Sequence, residues 1–349
     1  MQKNLMRAAM QVGLWAMCWV VQGVFLRAEV ARITVSQTGH ADFQSLQQAV
    51  DHAPGSGGAI IFIAPGIYHE KIHINKPGIV LVGVGKQPQD TVITWGDSAL
   101  NAGSTFKSGT VSVAGDGFEA ENLSIVNTWW QEHTGAKDPS QAVALLLDSD
   151  RALLDRVRLI SGQDTLYANS SRCGGTLDAP CRADRQLFND CYVEGNVDYI
   201  FGDAKAVFDH CELHSRPGSD VMITAQSRHS PLEDSGYYML NCRITGSNEG
   251  NKIVLGRPWR DYSTVLFYNT EIVQTLDAEG WEEWGGRLKT STYREYKSHG
   301  PGTNGNRRIV QSPPLSKAEE RNLKPSLLLA GDDHWNAMAA LRALRKLEP

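Results

Sequence analysis

A five-residue pattern recurs six times through the middle of the chain and narrows the folds open to it. It runs Glu121-Asn122-Leu123-Ser124-Ile125, Asp155-Arg156-Val157-Arg158-Leu159 and Asn189-Asp190-Cys191-Tyr192-Val193. It continues with Asp209-His210-Cys211-Glu212-Leu213, Leu240-Asn241-Cys242-Arg243-Ile244 and Tyr268-Asn269-Thr270-Glu271-Ile272. The third position is apolar or small, the fourth mostly polar and the fifth aliphatic, with fifth positions 20 to 34 residues apart. A constant core strand with loops of variable length suggests a β-solenoid, each coil laying a strand on the one before. A second series keeps step with the first: Ala142-Val143-Ala144-Leu145, Thr165-Leu166-Tyr167, Tyr199-Ile200-Phe201, Val221-Met222-Ile223-Thr224 and Ile253-Val254-Leu255. A β-sandwich is the alternative, but it needs hairpins between neighbours, and few Asn-Gly or Asp-Gly pairs stand in suitable places. Helical periodicity shows only at 43–52 and 335–347. The expectation is an all-β parallel solenoid with a short N-terminal helix and a C-terminal helical tail.

The repeat register brings chemistry together. Five residues past Leu159 stands Asp164, and five past Val193 stands Asp198, so the two acids hold equivalent places on successive coils. Stacked strands lie about 4.7–4.9 Å apart. Like charges at such a separation leave one acid protonated and the other ionised near neutral pH, which suits a general acid beside a nucleophile. Asp also caps turns through its own backbone, the structural reading of the same pair. Gln141 begins the preceding strand and Gln163 adjoins Asp164, offering two amide donors for an oxyanion. Arg257, just past Ile253-Val254-Leu255, can pair with an ionised Asp198. Trp259 and Phe201 offer flat faces to a sugar ring, and Tyr199 is counted with them as substrate-binding.

The first 28 residues differ in kind. Lys3 and Arg7 precede an uncharged, largely apolar stretch at 8–25, and Leu26-Arg27-Ala28 offers a cleavage site, so 1–28 reads as a secretory signal peptide. An uncleaved anchor helix is the alternative, and a lipoprotein at Cys18 is disfavoured by bulky Met17. Residues 29–349 then form one domain, secreted or periplasmic. The net charge of −5 falls by three on cleavage, and no basic run interleaved with aromatics points to nucleic acid. A hydrophobic share of 41% excludes a disordered chain.

Export permits disulfides. Cys191, Cys211 and Cys242 hold the third position of consecutive repeats, and the shortest interval favours a Cys191–Cys211 bond. An inward ladder of reduced thiols fits the spacing about equally. Cys173 and Cys181 can close a small loop within an insertion. No Cys-x-x-Cys occurs, and His210 and His214 lack a matching pair, so no metal site is expected.

At these residues the sequence resembles the pectin methylesterase (pectinesterase) family. The matching motifs are Gly66-Ile67-Tyr68-His69-Glu70, Gln141-Ala142-Val143-Ala144-Leu145 and Gly162-Gln163-Asp164-Thr165-Leu166. Val193-Glu194-Gly195-Asn196-Val197-Asp198-Tyr199-Ile200-Phe201-Gly202, Thr224-Ala225-Gln226 and Leu255-Gly256-Arg257-Pro258-Trp259 follow in order. Tyr293-Arg294-Glu295-Tyr296 and Gly300-Pro301-Gly302 complete the set. The resemblance implies a right-handed parallel β-helix that hydrolyses galacturonate methyl esters in pectin without metal or cofactor. It implies Asp198 as nucleophile, Asp164 as acid and then base, Gln141 and Gln163 at the oxyanion, Arg257 orienting Asp198, and Trp259 with Phe201 lining the sugar cleft. It also raises the Cys191–Cys211 bond above the thiol ladder.

The chain departs from the pattern at 169–184, a longer stretch with its own two cysteines, and at Ser227, where glycine is common. No inhibitory region lies between the leader and Ile33, and the short leader is similar to bacterial members. Methylated homogalacturonan is the expected partner, acted on by a monomer with no membrane contact beyond the leader. The rivals are a polygalacturonase-like glycosidase, a lyase, or a non-catalytic polysaccharide-binding β-helix. A glycosidase also pairs carboxylates, and a lyase wants a calcium cluster that the acids here do not form.

Overall fold

Successive coils of the chain stack into three parallel sheets, of ten, eight and seven strands. The computed structural model describes residues 30–133, 140–173, 178–217, 220–247, 252–303, 308–309 and 314–349. Its coils wind as a right-handed parallel β-helix, the hand that parallel crossovers adopt. The fifth positions stack as the repeat requires, Ile125 on Leu159, Leu159 on Val193, Val193 on Leu213, Leu213 on Ile244 and Ile244 on Ile272. All six are wholly buried. The second series also pairs in register, Leu145 with Leu166 and Leu166 with Ile200.

The recurring pattern proves to span a corner rather than a single strand. Its first residue ends a strand of the ten-stranded sheet, as Asp155 ends Ala152–Asp155, and its fourth begins a strand of the eight-stranded sheet, as Arg158 begins Arg158–Ile160. The second residue makes the turn alone. Asn122, Arg156, Asp190, His210, Asn241 and Asn269 all have φ between 49° and 55°, or 57° for His210, in the left-handed region. That conformation reverses direction within one residue, and short polar side chains tolerate it best. The ten-stranded sheet is the series that the repeat did not separate. Its inward stack of Leu154, Phe188, Phe208, Met239 and Phe267 carries much of the core, with the Phe188 and Phe208 rings 4.4 Å apart.

A solenoid needs its ends and faces covered. The helix Leu46–His52 buries Leu46, Ala49 and Val50 in the main core, and Ser45 caps it by accepting from the Gln48 N–H. Glu70 accepts from the N–H groups of Leu46 and Gln47 at 2.8 and 3.0 Å, settling two more donors of the first turn. At the tail, Ala337–Leu344 lays Leu341 and Leu344 over Leu153, Leu187 and Val207 on the outer face of the ten-stranded sheet. Arg345 locks it there with a bidentate bond to buried Asp155, at 2.7 and 2.8 Å. Both helices lie within the stretches that periodicity marked.

Cys173 and Cys181 are disulfide-bonded, with Cα atoms 5.5 Å apart. The expected Cys191–Cys211 bond is not formed. Cys191, Cys211 and Cys242 are buried free thiols, and each donates to a carbonyl of the preceding coil: Leu154, Phe188 and Phe208, at 3.3–3.5 Å. The sulfurs thus satisfy themselves along the stack as small core residues, the ladder arrangement. The insertion closed by the Cys173–Cys181 bond pairs Cys181–Arg182 with Glu233–Asp234 in a separate two-stranded parallel sheet. The leader at 1–28 and the Cys18 position lie outside the described residues. No described helix is long and apolar enough to cross a membrane.

Candidate active site

Asp164 and Asp198 each sit in a turn that feeds a strand of the seven-stranded sheet, and both turns use the left-handed region, with φ of 63° and 50°. Such backbone is sparsely populated for residues other than glycine and persists only where the surroundings enforce it. Here successive coils do so. The Asp164 N–H donates to the Val197 carbonyl at 3.0 Å, the Asn196 N–H to Gly162 at 3.1 Å, and the Ala142 N–H to Gln163 at 3.1 Å. Three coils therefore bring Gln141, Gln163, Asp164 and Asp198 to one surface.

They line a cleft of about 400 Å³ together with Thr105, Phe106, Phe201, Ala225, Arg257, Trp259 and Trp284. Only 8% of Asp164 and 7% of Asp198 is exposed. Arg257 holds Asp198 in a bidentate pair, Nε to Oδ1 at 2.9 Å and Nη2 to Oδ2 at 2.7 Å. Its remaining Nη1 donates to Glu282 at 2.9 Å, and Lys252 anchors Glu282 in turn at 3.1 Å. The guanidinium also lies 4.4 Å over the Trp284 ring. Arg257 is thereby fixed on both sides, which fixes the Asp198 carboxylate.

The two acids differ electrostatically. Burial and then the Asp198 charge push Asp164 well above the usual carboxylate range, against a smaller pull from Arg257. Burial raises Asp198 as well, but there the Arg257 hydrogen bonds and charge work against it. Of the two, Asp164 therefore keeps its proton to the higher pH and Asp198 ionises first. The side-chain amides of Gln141 and Gln163 make no hydrogen bond within the protein among the described residues, leaving their donors open to the cleft.

A series of aromatic rings runs along the cleft. Phe106, half exposed, lies 5.1 Å from Tyr167, Tyr167 4.7 Å from Phe201, and Phe201 6.0 Å from Trp259. Trp259 and Phe201, expected at a sugar cleft, both line this cavity. Tyr199 does not: it is wholly buried in the main core. The left-handed turn at Asp198 interrupts strand alternation, and the next side chain folds inward against Gly195, where an added Cβ would meet the Tyr199 Cβ at 2.3 Å. Reading the sequence missed Phe106, Tyr167, Glu282 and Trp284. Tyr167 follows directly from the second series, two residues beyond Thr165. Glu282 and Trp284 lie past the last repeat, where only the Trp281-Glu282-Glu283-Trp284 cluster marks them.

The Pectinesterase family model matches residues 32–322. Probable pectinesterase/pectinesterase inhibitor 17 of Arabidopsis thaliana is 36% identical over 288 residues, 79% of this chain and 52% of its own length. Pectinesterase 31 of the same plant is 32% identical over 307 residues, 84% of this chain and 90% of its own. The chain spans about half the length of the first of these and of a further relative, probable pectinesterase/pectinesterase inhibitor 64. Among solved structures, pectin methylesterase from carrot superposes with a TM-score of 0.76 at 28% identity, covering 91% of this chain and 97% of its own. Pectin methylesterase from Yersinia enterocolitica gives 0.65 at 28% identity, covering 82% and 98%.

Proposed function

The chain belongs to the pectinesterase family, and from that premise we propose that it hydrolyses the methyl esters of galacturonate in pectin, with Asp198 as nucleophile. The observation that carries this reading is the contrast within one cleft between Asp198, gripped by Arg257, and Asp164, buried and paired with no cation among the described residues. The Asp198 carboxylate attacks the ester carbonyl carbon. The resulting oxyanion takes hydrogen bonds from the amides of Gln141 and Gln163, donors already in place before charge develops. Collapse breaks the bond to the methoxy oxygen, which receives the Asp164 proton and leaves as methanol. Asp164, now a carboxylate, removes a proton from a water as its oxygen attacks the acyl-enzyme. The bond to Asp198 breaks, the free acid is released, and both side chains regain their starting charges.

The ring series from Phe106 to Trp259 supports a sugar polymer as substrate, since flat faces suit pyranose rings. One solved relative, similar to this chain in fold and 26% identical, is a pectin methylesterase in complex with a hexasaccharide. We read 1–28 as an export leader and 29–349 as one β-helix domain, active as a monomer outside the cytoplasm. Incubation with highly methylated pectin should release methanol without new reducing ends or unsaturated products. Asp198→Ala should lower kcat by about 10³-fold or more with an unchanged circular dichroism spectrum. Chain cleavage, or turnover that survives in the Asp198 variant, would overturn the reading.

A further inference from the structure

We propose that Trp130 is a positioning residue for this site, holding the turn that carries Gln163 and Asp164; the inference rests on the esterase reading. Gly162, which begins that turn, has no side chain of its own, and the Trp130 indole fills the place of one. A Cβ added at Gly162 would fall 2.2–2.3 Å from three atoms of the ring. On its other side the turn is tied to the coil below through the bonds Asn196 N–H to Gly162 and Asp164 N–H to Val197. The turn is therefore held between the ring of one coil and the Asp198 turn of the next.

The ring itself is held by shape. Trp130 belongs to the short helix Trp129–Glu132, whose Trp129 N–H is received by the buried Asn127 side chain at 3.0 Å. The Trp129 ring meets Trp130 edge-on at 5.8 Å. The Trp130 Nε1–H is buried with no acceptor among the described residues, so the contribution argued for this position is the ring and not a hydrogen bond. That distinguishes it from an additional oxyanion donor.

Removing the ring leaves the Gly162 turn free to rise, which displaces the Gln163 amide and the Asp164 carboxyl from a reacting ester. Trp130→Ala should lower kcat by about 10- to 10²-fold, the scale of a displacement near 1 Å, with KM moved by less than about threefold. Trp130→Phe should recover most of the lost kcat, because a ring returns without the orphan N–H. Gly162→Ala approaches the same contact from the other side and should also lower kcat. The double variant Gly162→Ala, Trp130→Ala should lose little more than Trp130→Ala alone, since the collision is then gone. Should Trp130→Ala fail to fold by circular dichroism, Gly162→Ala and Trp130→Leu decide the matter. Unchanged kcat in the folded variants, a loss confined to thermal stability, or additive losses in the double variant would overturn the role while leaving the esterase reading intact. Absence of methanol release by the wild type would overturn both.

Discussion

Arg257 controls which form of Asp198 the cleft favours, and its effect on the pH profile follows. Turnover in the proposed scheme needs Asp198 ionised and Asp164 protonated, so activity should be bell-shaped. The acid limb follows Asp198, since lowering the pH protonates the nucleophile. The basic limb follows Asp164, whose proton is lost as pH rises through its elevated pKa. Arg257→Gln removes the cation that opposes burial at Asp198. The Asp198 pKa should then rise and carry the acid limb to higher pH, and a stopped methanol assay from pH 4 to 9 measures it. An acid limb that stays in place would separate Arg257 from the ionisation of Asp198. Coil register is periodic, so counting from Leu159 and Val193 reaches the acid pair at equivalent places, and Gln141, Gln163 and Arg257, read as neighbours of that pair, line the same cleft. Glu282 was not legible in this way, because it touches Arg257 from a segment beyond the repeat. Tyr199 was misplaced because a left-handed residue breaks the alternation on which facing is judged.

At the scale of the element, the one-residue corner is the device that lets two sheets meet without a loop. Each pattern residue in the second position bears a positive φ, and His210 does so at 57° with its side chain largely in solvent. Any residue with a Cβ bears a cost of about 1–2 kcal/mol in this region, His210 included, and a β-branched side chain is an outlier there. His210→Val should therefore lower unfolding free energy relative to the wild type, His210→Asn should stay close to it, and His210→Gly, freed of the Cβ cost, should be clearly more stable than the Val variant. Urea unfolding measures all three, and equal stability of the Val and Gly variants would remove the conformational argument. The same corner explains what the sequence concealed. Its polar second position was visible at every repeat, but the strands before and after it merged into one signal. Period-two alternation fails across a left-handed residue, so the ten-stranded sheet could not be told from the eight-stranded one. The thiol ladder was equally hidden, since a bond and a stack of thiols ask for the same interval.

For the molecule as a whole, coil stacking places carboxyl groups where little water reaches them, and stability should record this. Burial pushes Glu119, Asp184 and Asp203 up to about 7, with neighbouring acids adding to it, although Arg172 pulls Asp184 back. In the unfolded chain the same groups titrate near about 4. Between these values the folded protein holds protons that the unfolded chain has released. Stability from these groups is thus full below about pH 4 and declines as pH rises toward 7. Asp150, Glu282 and Asp333 act in the opposite sense, because arginine or lysine partners hold them low, and their contribution fails only as pH falls below the ordinary carboxylate range. The urea midpoint should accordingly be higher at pH 5 than at pH 7.5. Asp203→Asn imitates the protonated acid and can still accept from the Ser170 N–H, now 2.9 Å from Oδ1. It should flatten the dependence by raising stability at pH 7.5 more than at pH 5. A midpoint that climbs from pH 5 to 7.5 would mean that the buried acids ionise within the fold at little cost, and the coil interior would then be more polar than its packing implies.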